Sequence, residues 1–150
     1  MVSYTITISR EDFLMESTGV NYWAVLVAGV AFTALGALWY SPALFFNAWL
    51  KGIGKTREQI EAGHSPWKMV VALIGSLVAA YGIARALSWT NLEHLWGGVA
   101  IAFLAAVCFL ATTMGTNDLM EGRPLKLYLL NAFFNLIGFL IMGVIIGVWK

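Results

Sequence analysis

Four long apolar stretches decide most of what this chain can become. They run Tyr22–Tyr40, Trp67–Ala86, Leu95–Met114 and Leu125–Val148, and none contains an acidic residue. A helix needs about 20 mostly apolar residues to cross the hydrocarbon of a bilayer, and each stretch has that length. Lys68, Arg85 and Lys126 are the basic residues inside them. All three lie within a turn or so of an end, where a long side chain can carry its charge out to the headgroups. Lipid offers the backbone no hydrogen bonds, so segments of this kind must be helices. The expected architecture is an all-α membrane protein with four transmembrane helices in two antiparallel hairpins. A short interfacial helix follows the first span. The membrane domain covers residues 19–150, and residues 1–18 form an N-terminal extension expected to be flexible.

Composition points the same way. Of the 150 residues, 60% are hydrophobic and 11% are charged, whereas a soluble domain is nearer half and a quarter. So little charge cannot cover a water-soluble globule. The formal net charge is +1, so no nucleic-acid partner is expected. The one cysteine, Cys108, lies in an apolar run. It has no partner for an internal disulfide and is read as a small packing residue.

Within the extension, Val2, Tyr4, Ile6 and Ile8 alternate with polar residues. That is the period of a strand, but a single strand has nothing to pair with, so a tail is expected. No basic stretch precedes an apolar one there, so no secretory signal is expected. Tyr22 and Trp23 mark one membrane interface of the first span, and Trp39 and Tyr40 the other. Ser41 is expected to cap a helix with Pro42 at its first position. Phe45, Phe46, Trp49, Leu50 and Ile53 then recur at helical spacing, which suits a helix lying in the interface. Thr56 and Gln59 predict a capping box, with the small helix closed near Gly63. Ser65 and Pro66 open the second span. Gly75 and Ala79 give that span a small-residue face, and Gly143 and Gly147 give one to the fourth. Such faces let helix backbones approach closely in lipid.

Lysine and arginine counts orient the chain. Lys51, Lys55, Arg57, Lys68, Arg123 and Lys126 fall on one side, and Arg10, Arg85 and Lys150 on the other. The first side is expected to be cytoplasmic, with both termini outside the cytoplasm.

Two groups of polar residues are candidates for chemistry. The cytoplasmic cluster comprises Thr112, Thr113, Asn117, Asp118, Glu121 and Arg123. Its two carboxylates are three residues apart and could bind a cation or serve as acid and base. The plainer expectation is a solvated connection in which they pair with Arg123 and Lys126. The second group is Asn131 and Asn135, on one face of the fourth span. An amide in hydrocarbon must be partnered. Bonding between helices would satisfy both, at about 0.6 to 2 kcal/mol per contact. A polar path through the membrane is the functional alternative. His64 and His94 are expected at opposite interfaces, so no haem or metal site is expected, and no cofactor.

Several of these residues also carry a family likeness. Asn21-Tyr22-Trp23-Ala24-Val25-Leu26-Val27-Ala28, Gly36-Ala37-Leu38-Trp39-Tyr40-Ser41-Pro42 and Phe46-xx-Trp49 resemble the opening of a bacterial membrane family. It is known as domain-of-unknown-function family 1761. Asn117-Asp118-Leu119-xx-Glu121-Gly122-Arg123-Pro124-Leu125-Lys126-Leu127 and Met142-Gly143-xxx-Gly147-Val148-Trp149 resemble its second half. The resemblance implies a small four-helix membrane protein. It brings no established activity and no catalytic residues.

Three functional readings follow. The first is a non-catalytic membrane subunit or scaffold, forming homo-oligomers or joining a larger membrane complex. The second is a small channel or carrier for a neutral solute or ion, passing Asn131, Asn135 and the Thr112 cluster. The third is a membrane-surface enzyme using Asp118 or Glu121.

Overall fold

Apolar length makes the helices, and short side chains decide how they meet. The computed structural model describes residues 19–63, 65–90, 92 and 94–149. Its helices are α1 (Tyr22–Trp39), α2 (Phe46–Ile53), α3 (Arg57–Ala62), α4 (Pro66–Ser88), α5 (His94–Leu104), a π-helical segment (Ala105–Ala111), α6 (Thr112–Met120) and α7 (Leu125–Val148). No strand occurs among the described residues. Among the described residues, four helices are long and apolar enough to cross a membrane: α1, α4, the continuous run Leu95–Met120, and α7. The alternating segment at residues 2–8 and His64 lie outside the described residues.

Helix ends follow the local chemistry, with one exception. Asn21 caps α1, its Oδ1 accepting from the Trp23 and Ala24 amides at 3.0 and 3.2 Å. Its Nδ2 donates to the Trp149 carbonyl at 2.6 Å, so one side chain satisfies orphan groups at the start of α1 and the end of α7. Thr56 and Gln59 form the expected capping box on α3. Pro66 opens α4. The exception is Ser41–Pro42. No helix starts there, because residues 41–45 make a tight turn in which the Ser41 carbonyl accepts from both Leu44 and Phe46. The chain needs that turn to lay α2 across the end of the bundle, so α2 begins at Phe46.

The third span also differs from its expected end at Met114. The Thr112 cluster is helical rather than a connection, and the helix continues to Met120. Gly122, at φ 67°, then makes the left-handed turn that stops it. Within the span the π segment slows the rotation per residue. Ala102 and Ala106 are buried, and a straight helix would turn Asn117 inward after them. Instead Asn117 is exposed and Asp118 is buried.

α7 is the central element, touching α1, α2, α4, α5, the π segment and α6. Its tightest seam is with α5. A Cβ added at Gly143 would lie 2.5 Å from the Gly98 carbonyl oxygen and 2.7 Å from the Ala102 Cβ. α1 runs opposite to both α4 and α7, so α4 and α7, which also touch, run in the same direction. Tyr22 stacks on Tyr81 and Thr33 meets Ser76. Gly36 faces Phe134, while Asn21 reaches Trp149. The interior is lined by small residues such as Ala28, Ala80, Ala84 and Ala102, while Val70, Ile74, Val78 and Phe109 point outward. Leu87, Met142 and Ile146 are buried among the small residues, but so many exposed large apolar side chains suit a lipid surround, where they gain nothing by turning in.

Leucine at Gly143 is expected to cost about 3 kcal/mol, since it meets the Gly98 backbone and the Ala102 Cβ, which cannot rotate aside. Leucine at the exposed neighbour Val144 should stay within about 0.5 kcal/mol. Thermal unfolding followed by circular dichroism in detergent compares the two.

Candidate functional site

Most of the chain's unusual polar and aromatic chemistry gathers at the end of the bundle where α1 stops. Tyr40 follows the last turn of α1, and its hydroxyl donates to Asn131 Oδ1 on α7 at 2.9 Å. One turn on, Asn135 Nδ2 donates to the Asn131 carbonyl at 2.8 Å and lies 3.6 Å from the Met114 sulfur on α6. Deeper in the membrane, the Thr33 and Ser76 hydroxyls are 3.0 Å apart. Each is also 3.0 Å from the Gly29 carbonyl. Burial pushes the Tyr40 phenol up to about 12, so it stays a neutral donor.

Aromatic rings surround this polar link. Phe134 packs against Phe32, Trp39 and Tyr40, with ring centroids 5.0, 6.1 and 5.2 Å apart. Trp49 of α2 sets its edge on Tyr40 at 5.7 Å. A mostly apolar recess of about 530 Å³ opens here, lined by Phe32, Gly36, Tyr40, Trp49, Lys68 and Phe134 among others. Trp39 Nε1 and Ser41 Oγ are buried and have no hydrogen-bond partner. Pro42 is exposed on the turn.

The charged cluster sits at the end of α6 and in the turn that leads into α7. The Gly122 turn folds Arg123 back, its amide donating to the Asp118 carbonyl at 2.9 Å. Its guanidinium Nε lies 2.6 Å from Glu121 Oε2 and 3.7 Å from Asp118 Oδ1. Asp118 is 9% exposed, and its Oδ2 has no partner. Lys126 takes no part in these pairs. A second recess of about 480 Å³ is lined by Thr112, Thr116, Asp118, Arg123 and Tyr128, with apolar neighbours. The hydroxyls here bond to helix carbonyls: Thr112 to Cys108 at 2.6 Å, Thr116 to Thr112 at 3.0 Å and Tyr128 to Ala111 at 3.2 Å. Tyr128 and Thr112 thus satisfy carbonyls in the π segment, where the ordinary ladder is broken.

The two expected groups are therefore placed apart in role. Asn131 and Asn135 bond to Tyr40, Met114 and their own helix. Thr112 does not reach them, and Thr113 and Asn117 are exposed. Gly143 and Gly147 meet Gly98 of the same chain, Ala79 packs partly on the core, and Gly75 faces open space. No group of three or more His, Cys, Asp or Glu side chains able to hold a metal occurs among the described residues. Phe134, Tyr128, Met114 and Thr33 join the site without a motif to announce them, whereas Trp49 belongs to the Phe46-xx-Trp49 run. For Thr33 a signal existed, since a hydroxyl deep in an apolar span needs a partner just as an amide does.

The family described as a protein of unknown function, DUF1761, matches residues 23–147. The chain belongs to this family. The match takes in the Trp39–Pro42 turn, the Asp118–Arg123 cluster and the α5–α7 seam together. No curated protein and no solved structure matches the chain.

Tyr40 yields a prediction with a definite sign. An unfolded tyrosine ionises near 10 and the folded one near 12. Between those values the unfolded chain loses a proton that the folded chain keeps, so stability falls as pH rises past 10 and the loss ends past 12. In Tyr40→Phe this fall should be absent, and stability at neutral pH should drop by about 0.6 to 1.7 kcal/mol for the lost interhelical bond. Phenolate absorbance and thermal unfolding, recorded from neutral to alkaline pH, measure both.

Proposed function

We propose that this protein is a non-catalytic structural subunit of the bacterial inner membrane that assembles with copies of itself. One observation carries the reading. Asn131, Asn135, Thr33 and Ser76, on three of the spans, are all hydrogen-bonded within the protein. Asn131 accepts from Tyr40, Asn135 donates to the Asn131 carbonyl, and Thr33 and Ser76 share the Gly29 carbonyl. A solute path needs polar groups free to exchange partners along its length. Surface chemistry at Asp118 and Glu121 is weakly supported too, because both carboxylates face the same guanidinium.

The orientation proposed is the positive-inside one. Lys51, Lys55, Arg57, Lys68, Arg123 and Lys126 would face the cytoplasm, with both termini outside it. Assembly is assigned to the outer face of α4. A Cβ at Gly75 or Gly82 would meet nothing within 4 Å, so a second helix could approach that face as closely as α5 approaches α7.

Native mass spectrometry from mild detergent is expected to show an oligomer for the native chain and a monomer for Gly75→Leu combined with Gly82→Leu, with helix content unchanged. A native chain that is monomeric in both detergent and nanodiscs would overturn self-assembly. A liposome flux that Asn135→Leu abolishes would overturn the closed-bundle reading itself.

A further inference from the structure

The interfacial helix α2 does more than cover the bundle end. Gly52 brings it down on the first turn of α7, where an added Cβ would lie 2.9 Å from Leu127 Cδ1 and 3.0 Å from its Cβ. Leu127 is 2% exposed, so this contact is a true packing seam. Beside it, α2 and α7 diverge and leave a cleft of about 500 Å³, lined by Asn47, Lys51, Gly52, Lys126, Leu127 and Leu130, among others. Lys51 comes from the last turn of α2 and Lys126 from the first turn of α7, so two cations border one cavity from two helices. Among the described residues neither lysine forms an ion pair. α7 brings no acidic residue in its first turn to compensate them.

The cleft combines basic and polar side chains, Lys51, Lys126 and Asn47, with apolar ones such as Ala48 and Leu130. It lies where α7 enters the membrane, at the depth of the headgroups. A soluble anion would match only its charged groups. An anionic phospholipid matches both kinds, with its phosphodiester between the lysines and the Asn47 amide and its first methylenes along Ala48 and Leu130. Basic recesses between membrane helices hold such headgroups by this combination of charge and apolar contact.

We propose that the α2–α7 cleft is a specific binding site for one anionic phospholipid, clamped by Lys51 and Lys126. This reading does not depend on self-assembly. Lys55 provides the control. It is also basic and exposed, and it lies only four residues from Lys51, but it does not line the cleft.

The test is native mass spectrometry of the full chain released from nanodiscs of mixed phosphatidylglycerol and phosphatidylcholine. One phosphatidylglycerol is expected to stay bound per chain in preference to phosphatidylcholine. Lys51→Gln and Lys126→Gln should each lower its retention roughly fivefold, as expected for one lysine at a lipid surface. Lys55→Gln should leave it unchanged. Glutamine keeps most of the stem, and circular dichroism checks that each variant folds. Equal losses for Lys55→Gln and Lys51→Gln would overturn the proposal in favour of diffuse charge. Retention without preference for the anionic lipid would overturn it as well. Displacement by millimolar inorganic phosphate would show that the site takes a free anion and would overturn the lipid assignment.

Discussion

The close approach of α5 to α7 is the contact on which the rest of the bundle depends. In lipid there is no hydrophobic gain from pressing two helices together, so what holds them is contact distance. Gly98, Gly143 and Gly147 remove the side chains that would hold the backbones apart, and a Cβ on Gly98 would sit 3.1 Å from the Gly147 Cα. At that range dispersion acts between the two backbones themselves. With α7 held there, its other faces are aimed. Phe134 and Asn131 meet α1, and Leu127 meets α2.

The two ends of the bundle are built differently as a result. At one end Asn21 caps α1 and binds the Trp149 carbonyl, which closes the helix ends with a single amide. At the other end the chain spends two short helices, a tight turn and a glycine-stopped helix. That end carries the recesses beside Tyr40, beside Asp118 and between α2 and α7. It also holds the unpartnered Trp39 Nε1, Ser41 Oγ and Asp118 Oδ2. Any ligand or partner of this family member is best sought there, where polar atoms are in place and not all of them are committed.

Periodicity and hydropathy show the spans because both act within one segment. Thr56, Gln59 and Pro66 show their helix starts for the same reason, since a cap bonds only to residues a turn away. The Ser41–Pro42 turn was not legible. The same pair starts helices elsewhere, and the choice here depends on where α2 must lie to meet Leu127. The phase of the Thr112 cluster was hidden too. A 3.6-residue period turns Asn117 inward, and only the π segment, with its carbonyls met by Tyr128 of another helix, turns Asp118 in.

The amino-acid sequence alone determined that this is a four-helix membrane protein, which end of the bundle is basic, and that Asn131 and Asn135 must find partners. Each follows from the cost of placing a given group in hydrocarbon, which does not depend on the neighbouring helix. Tertiary structure decided which partners those were. Asn131 took Tyr40, and Gly143 took Gly98, while Gly75 was left facing outward. The three glycines look alike in sequence. What separates them is which helix lies opposite, and that is set by the fit of all the spans at once.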